Sequence, residues 1–514
     1  MDLRKSFVSA AIILIAAGFI ARLFGFVYRI YLSNIIGAEG MGLYQLVFPV
    51  YAGIVLTITA GISISVSKMV AEQQAGKNTA NLHRITVCAL LLVVSAGTVV
   101  SLFIFFNAEL ISSGLLGDAR TNRALMLMAP CIPAVVAASA LKGYFYGIQR
   151  VMPTALSQIV EQAVKIGFLF LMAGEIAREN VGYACAVATL STALGEIANM
   201  LFLAVAYAIK RKYAPLKRSG RPLRKRSVMA ALLKASVPIS GNRLVISALS
   251  AAELIMIPAM LASGGVEYKS SMEIFGRLTG MALPLIMFPS LVTNSLATTL
   301  VPAISEAVSL KNFKSVNYRI SKSIQVSFIL GVIFNALFIN YPNEIGALLY
   351  RHENIGDLLY LLSFSCVFIY LQQTLTGVLN GLGRQGMLLR NTVIGSLLRI
   401  AFVLFLVPVY GVRSYIWGLS AGYLLTSILD LSVINRATGL VFNLRDWLLK
   451  PGFVGIVMVL SGKYIYHFFT IFQYGETVTA VLAILAYGAI ACILMVFTGA
   501  IGLKEILNLS GLKK

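Results

Sequence analysis

The sequence predicts an all-α polytopic membrane protein with 14 transmembrane helices: two pseudo-symmetric six-helix lobes followed by a C-terminal helix pair. Three observations predict it. The 514 residues are 58% hydrophobic and 12% charged, with a mean hydropathy of +0.85, whereas a soluble globular chain is about 25% charged. Fourteen apolar segments follow one another, centred near residues 20, 54, 96, 133, 163, 196, 249, 290, 332, 370, 401, 424, 462 and 488. A charged pattern also occurs twice. Lys165 and Glu196 lie 31 residues apart on consecutive apolar segments, as do Arg399 and Asp430, and each of the second pair stands 234 positions after its counterpart. Gly143, Gly147 and Arg150 recur at that offset as Gly377, Gly381 and Arg384. An ionisable group in hydrocarbon costs roughly 2.5–3.5 kcal/mol on insertion scales, so a cation and an anion on neighbouring helices, found twice, point to a duplicated bundle.

The elements follow in order. The first apolar run, about residues 7–32, is too long for a signal-peptide core and lacks a small-residue cleavage site, which predicts a retained helix. The first lobe covers 1–209, a basic linker 210–235, the second lobe 236–435, and the terminal pair and tail 436–514. The stretch 210–234 has ten basic residues and no acid. Inner loops are rich in Lys and Arg and outer loops are not, which places both termini in the cytoplasm of a cell-membrane protein. The excess charge of +22 is therefore topogenic and faces anionic lipid, not nucleic acid. Pro153 opens helix five, where its missing N–H is harmless. Pro238, Pro258, Pro284, Pro289 and Pro302 crowd helices seven and eight and predict bending there. The five cysteines are scattered over apolar segments without metal or pairing spacing and read as small buried hydrophobes.

Polar residues inside these helices are the candidates for function. Arg22 and Arg29 are seven apart and share a face of helix one, whose own sequence offers no acid to neutralise them. Thr154, Gln158, Glu161, Gln162 and Lys165 make one polar stripe on helix five. Lys165 and Glu196 lie at similar depths from the inner ends of their helices, so Lys165–Glu196 and Arg399–Asp430 are expected to be structural ion pairs. Glu161 is then a surplus acid, expected to take part in coupling. Arg243 and Glu253 on helix seven, and Asn294 on helix eight, are further polar groups expected at a cavity. Glu253 is a second coupling candidate; Gln158, Gln162 and Asn294 are cavity polar residues. Enzyme signals are lacking: the three histidines are far apart, and there is no HExxH, P-loop or nucleophile-elbow motif. No cofactor or metal is expected. The identity of a coupling ion is left open.

The run Gly18-Phe-Ile-Ala-Arg22-Leu-Phe-Gly25-Phe-Val-Tyr-Arg29, with Ile36-Gly-Ala-Glu-Gly-Met-Gly-Leu-Tyr-Gln45, resembles the start of the polysaccharide transporters of the multidrug/oligosaccharidyl-lipid/polysaccharide exporter superfamily. The segment Lys142-Gly-Tyr-Phe-Tyr-Gly-Ile-Gln-Arg-Val-Met-Pro-Thr-Ala-Leu-Ser-Gln-Ile-Val-Glu-Gln162 is similar to the stage V sporulation protein B branch, relatives of the lipid II flippases. That resemblance implies lobes arranged in a V, alternating access, and a cationic cavity with arginines on helix one. Arg22 matches such a position directly, and Arg29 after a one-residue shift. It also implies a groove for a polyprenyl tail on the terminal pair. The implied function is a flippase carrying a polyprenyl-pyrophosphate-linked saccharide, a peptidoglycan precursor of the lipid II type, to the outer leaflet, with Arg22, Arg29 and Arg243 on the pyrophosphate. The implied partners are the lipid-linked substrate, membrane lipids and cell-wall synthesis proteins. Three alternatives stay open: export of a teichoic or capsular glycan, multidrug export, and a membrane-bound glycan-assembly enzyme or scaffold.

Overall fold

A computed structural model of the chain describes residues 3–75, 79–176, 180–213, 223–473 and 475–499. The middle of the basic linker, 214–222, and the tail from 500 lie outside the described residues. Among the described residues there is no strand. Two compact units emerge, Met1–Ala259 and Met260–Lys514.

The first unit holds α1 (Leu3–Ala75), α2 (Thr79–Phe106), α3 (Ile132–Gly147), α4 (Met152–Ile176) and α5 (Val181–Tyr213), together with most of α6 (Lys225–Ser263). The second holds α7 (Ser290–Ser309), α8 (Phe313–Asn340), α9 (Cys366–Gly381), α10 (Gln385–Ala401), α11 (Val412–Thr438), α12 (Lys450–Thr470) and α13 (Glu476–Phe497). Side chains such as Phe170 and Leu171, 70% and 79% exposed, stand on outer helix faces, as befits helices whose surroundings are hydrocarbon. This is a multi-pass membrane protein.

Eleven helical spans are long and apolar enough to cross a membrane, or twelve when the bent pair Gly356–Ser363 and Cys366–Gly381 counts as one. The expectation of fourteen differs at two places. Residues Gly18–Ala75 form one run of 58 residues, broken at Gly37 (φ 68°, ψ −177°), where the sequence predicts two helices. Gly37 takes a left-handed φ that a side chain would resist. The other place is α4, whose polar stripe leaves it short of apolar character. Prolines act as expected at helix eight: Pro289 caps α7 and separates it from Leu283–Met287. Pro238 and Pro258 are accommodated inside α6.

The duplication is visible in packing. A methyl on Gly143 would lie 2.7 Å from the Ser63 carbonyl oxygen, and one on Gly377 would lie 2.6 Å from that of Ala297. Ser63 and Ala297 are themselves 234 apart. Likewise Gly97 abuts Pro133 and Gly331 abuts Val367, again both shifted by 234. Ser139 donates to the Thr59 carbonyl, and the counterpart residues Thr293 and Gln373 are also hydrogen-bonded. Gly143→Val and Gly377→Val are each expected to destabilise by about 1–3 kcal/mol through overpacking. Gly18→Ala, with nothing within 4 Å, is expected to leave stability unchanged or slightly raised. Thermal unfolding in detergent measures both.

One end of each unit closes with an arginine between two acids, a feature missed in the sequence. Arg120 contacts Glu39 at 2.5 Å and Asp118 at 2.7 Å. Arg277 contacts Glu353 at 2.7 Å and Glu273 at 3.6 Å. Glu39 and Glu273 are 234 apart, yet the arginine comes from a different element in each unit. The bridge recurs although its cation does not.

Helix α6 packs on the second segment of α1. Gly53 faces Ser247, and Gly61 touches the Ser236 carbonyl and the Ser240 hydroxyl. The sequence places this helix at the start of the second lobe, but small residues on both sides let it lie close against α1.

Candidate functional site: an arginine stripe beside a buried charged centre

The first segment of α1 is held against α4 and α5. Tyr28 is buried, its hydroxyl 2.6 Å from Ser191 Oγ, and Tyr31 stacks on Phe170. A side chain at Gly25 would meet Gln162 Oε1 at 3.6 Å. Gly25 lies between Arg22 and Arg29 on one helical stripe, so the two arginines flank Gln162. Arg22 is exposed and Arg29 partly so. Arg243 is exposed on α6, on the stripe of Ser236, Ser240 and Ser247. Among the described residues, none of these three guanidinium groups has an ion-pair or hydrogen-bond partner.

Beneath Gln162 lies a buried charged centre. Lys165 Nζ donates to Glu161 Oε1 at 2.7 Å, and Asn199 Nδ2 donates to Glu161 Oε2 at 2.7 Å. Gln162 Nε2 adds a longer contact of 3.3 Å to Oε1. Glu196 stands 3.9 Å from Lys165 Nζ. So Lys165 and Glu196 are brought together, but the roles of the two acids are exchanged relative to the sequence reading. Glu161, expected to be spare, is the principal partner of Lys165, because the i,i+4 pair on one helix forms without any interhelical adjustment. Glu196 takes the outer position.

The second unit departs further. Asp430 is fully buried and its Oδ1 accepts from Asn391 Nδ2 at 2.8 Å. Arg399 instead donates to Ser396 Oγ at 3.0 Å and lies over the Tyr423 ring, 5.1 Å from its centroid. The expected Arg399–Asp430 pair is therefore corrected, and the reason is a slip in register. In the first unit the Lys165 stem passes over Gly195, and Gly195 also approaches the Glu161 carbonyl, at 2.9 Å for an added methyl. In the second unit the Arg399 stem passes over Gly422, which approaches the Gly395 carbonyl at 3.1 Å. Lys165 and Arg399 are 234 apart, but Gly195 and Gly422 are 422 − 195 = 227 apart. The last helix of the second lobe is shifted by seven residues, about two turns. Tyr423, not Asp430, occupies the place of Glu196 (196 + 227), and Thr426, which touches Gly395, that of Asn199 (199 + 227). Tyr423→Leu is expected to cost up to about 2 kcal/mol through the lost cation–π contact, read from thermal unfolding.

The remaining candidates are dispersed. Gln158 is half-buried one turn before Gln162, and Asn294 is half-buried on α7 in the second unit. Glu253 is buried on α6, 4% exposed, and engaged.

Known proteins share this architecture. Stage V sporulation protein B of Bacillus subtilis (strain 168) is 28% identical over 461 residues, 89% of each chain. The solved structure of lipid II flippase MurJ in an inward closed conformation matches with TM-score 0.67 and 15% identity, covering 93% of this chain and 98% of that one. An inward-facing multidrug resistance MATE family transporter of the MOP superfamily matches with TM-score 0.69 and 16% identity, covering 84% and 98%. The two structural likenesses show a transporter fold. Residues 279–405 match MatE, and residues 7–308, more than half of the chain, match the polysaccharide biosynthesis protein family. The chain belongs to that polysaccharide biosynthesis protein family, among membrane exporters and flippases of the MOP superfamily rather than enzymes.

Proposed function

We propose that the protein translocates a polyprenyl-pyrophosphate-linked saccharide, a peptidoglycan precursor of the lipid II type, from the inner to the outer leaflet of the cell membrane. The observation that carries this reading is the set of guanidinium groups of Arg22, Arg29 and Arg243, which have no partner among the described residues of a membrane protein. Burying an unpaired cation at membrane depth is costly unless an anion uses it. Guanidinium is shaped for bidentate contact with phosphate oxygens. The name of one relative, a lipid II flippase, supports the same substrate class. The basic inner loops support cytoplasmic termini. In this reading Arg22 and Arg29 hold the pyrophosphate, Gln162 stands between them, and Glu161, Lys165 and Glu196 form the charged centre behind.

The test is the outer-face accessibility of lipid-linked precursor in cells that depend on this protein alone. Accessibility should require the wild-type chain. Normal accessibility in its absence would defeat the proposal. The likeness to MATE transporters favours a second reading, drug export. A cationic drug has no use for three guanidinium groups without partners among the described residues, so binding of a cationic dye in preference to a pyrophosphate lipid would be needed to sustain it.

A further inference from the structure

Asp430 stands out from every other acid described. It is 0% exposed, and only one of its oxygens is engaged, by the neutral amide of Asn391, also 0% exposed. Its Oδ2 has no hydrogen-bond partner, and neither has the hydroxyl of Ser427, 1% exposed and one turn earlier on α11. Two orphaned polar groups on one face of one helix are a second, independent sign that something is held there. An ionised carboxylate so placed would be an uncompensated buried charge.

The charged groups around it are few. Arg390, exposed at the start of α10, reaches it only through the Asn391 carbonyl oxygen, at 3.1 Å. Arg399 is two turns further along α10. Helix α9, packed on α11, has no charged side chain, nor has the stretch 402–410. Lys314, Arg319 and Lys322 sit on the first turns of α8, toward the end where Asn317 meets the Thr438 carbonyl. Asp357 opens the helix Gly356–Ser363.

We propose that Asp430 is a proton-binding site of the second unit, with Asn391 holding Oδ1 and the proton carried on Oδ2, the oxygen that no described group engages. The proton is released as the carboxyl ionises and passes to water, and it returns by the reverse step. The Asn391 amide, polarised by Arg390, then supports the anion. The register slip has freed Asp430 from the arginine that would otherwise have held it ionised.

The site itself is tested without any substrate, on the purified full-length chain in nanodiscs by infrared spectroscopy. A carboxylic-acid carbonyl band is expected in neutral buffer and lost reversibly in alkaline buffer. It should be absent in Asp430→Asn and displaced in Asn391→Ala, which removes the donor to Oδ1. No Asp430-dependent band at neutral pH, a band that persists until the protein unfolds, or a band abolished by sodium chloride at constant pH would each overturn the proposal, the last by assigning a metal cation instead. The role of the site in transport rests on the flippase reading above. In proteoliposomes with a fluorescent polyprenyl-pyrophosphate lipid, an imposed proton gradient should change the wild-type rate several-fold and leave Asp430→Asn unaffected. An equal response in both would remove Asp430 from coupling. No translocation by the wild type would defeat the flippase reading, while the spectra would still decide the site.

Discussion

Arg22→Ala is expected to stop translocation while leaving the protein folded and in the membrane. Arg22 is exposed and has no described partner, so truncation orphans nothing within the chain. What is lost is a bidentate contact with the substrate. Two charge-assisted hydrogen bonds at about 1.5–3 kcal/mol each correspond to a loss of at least about a hundredfold. Arg22→Lys should rescue only in part, because an ammonium cannot reproduce the planar fork. The measurement is precursor accessibility at the outer face, with protein level followed in parallel. Wild-type accessibility in the alanine variant would remove Arg22 from the headgroup site. Disappearance of the protein would show instead that the arginine holds the fold.

Lys165→Met is expected to cost about 3–5 kcal/mol of stability, because it leaves Glu161 and Glu196 buried together without a cation. The two carboxylates share one ammonium, at 2.7 Å and 3.9 Å. Adding Glu161→Gln to Lys165→Met should recover much of the loss, since a neutral amide can still accept from Asn199. Glu161→Gln alone should be more damaging than Glu196→Gln, in keeping with the shorter contact. Thermal unfolding in detergent, with the double-mutant cycle, reads all four. A Lys165→Met protein within 1 kcal/mol of wild type would show that the centre is held by packing over Gly195 rather than by charge.

The bundle and its duplication were legible in the sequence because they are written in composition and in glycines that tolerate no neighbour. Gly143 and Gly377 meet their partners in one register, and a repeated small residue is a repeated crossing. The charged pairs were legible only in the first lobe. Lys165 and Glu196 do approach, but the equality of the two 31-residue spacings was misleading. Between Arg399 and Gly422 the chain is seven residues shorter than between Lys165 and Gly195, and two full turns restore the same helical face. A periodic element thus returns a plausible residue at the wrong depth, and no pattern in one sequence distinguishes the two. Glu161 was assigned as spare because its counterpart is Gly395, although an i,i+4 pair with Lys165 was plain. The bridges at one end of each unit were missed because the arginine changes element between Arg120 and Arg277, so no offset reveals them. The stripe of Arg22, Gly25 and Arg29 was read from helical spacing, but its apposition to Gln162 needed the packing of α1 on α4.

The different company kept by Lys165 and Arg399 bears on biogenesis. A helix leaving the ribosome meets the bilayer before its later neighbours exist. α4 emerges with Glu161 and Lys165 one turn apart, a pair that is already neutral and can be handed to the lipid at once. α10 emerges with Arg399 beside the Ser396 hydroxyl and with no acid on its own helix, leaving a handicap of roughly 2.5–3.5 kcal/mol at mid-membrane. Tyr423 arrives only with α11. α10 and α11 are therefore expected to enter the bilayer together as a hairpin, whereas α4 is able to enter ahead of α5.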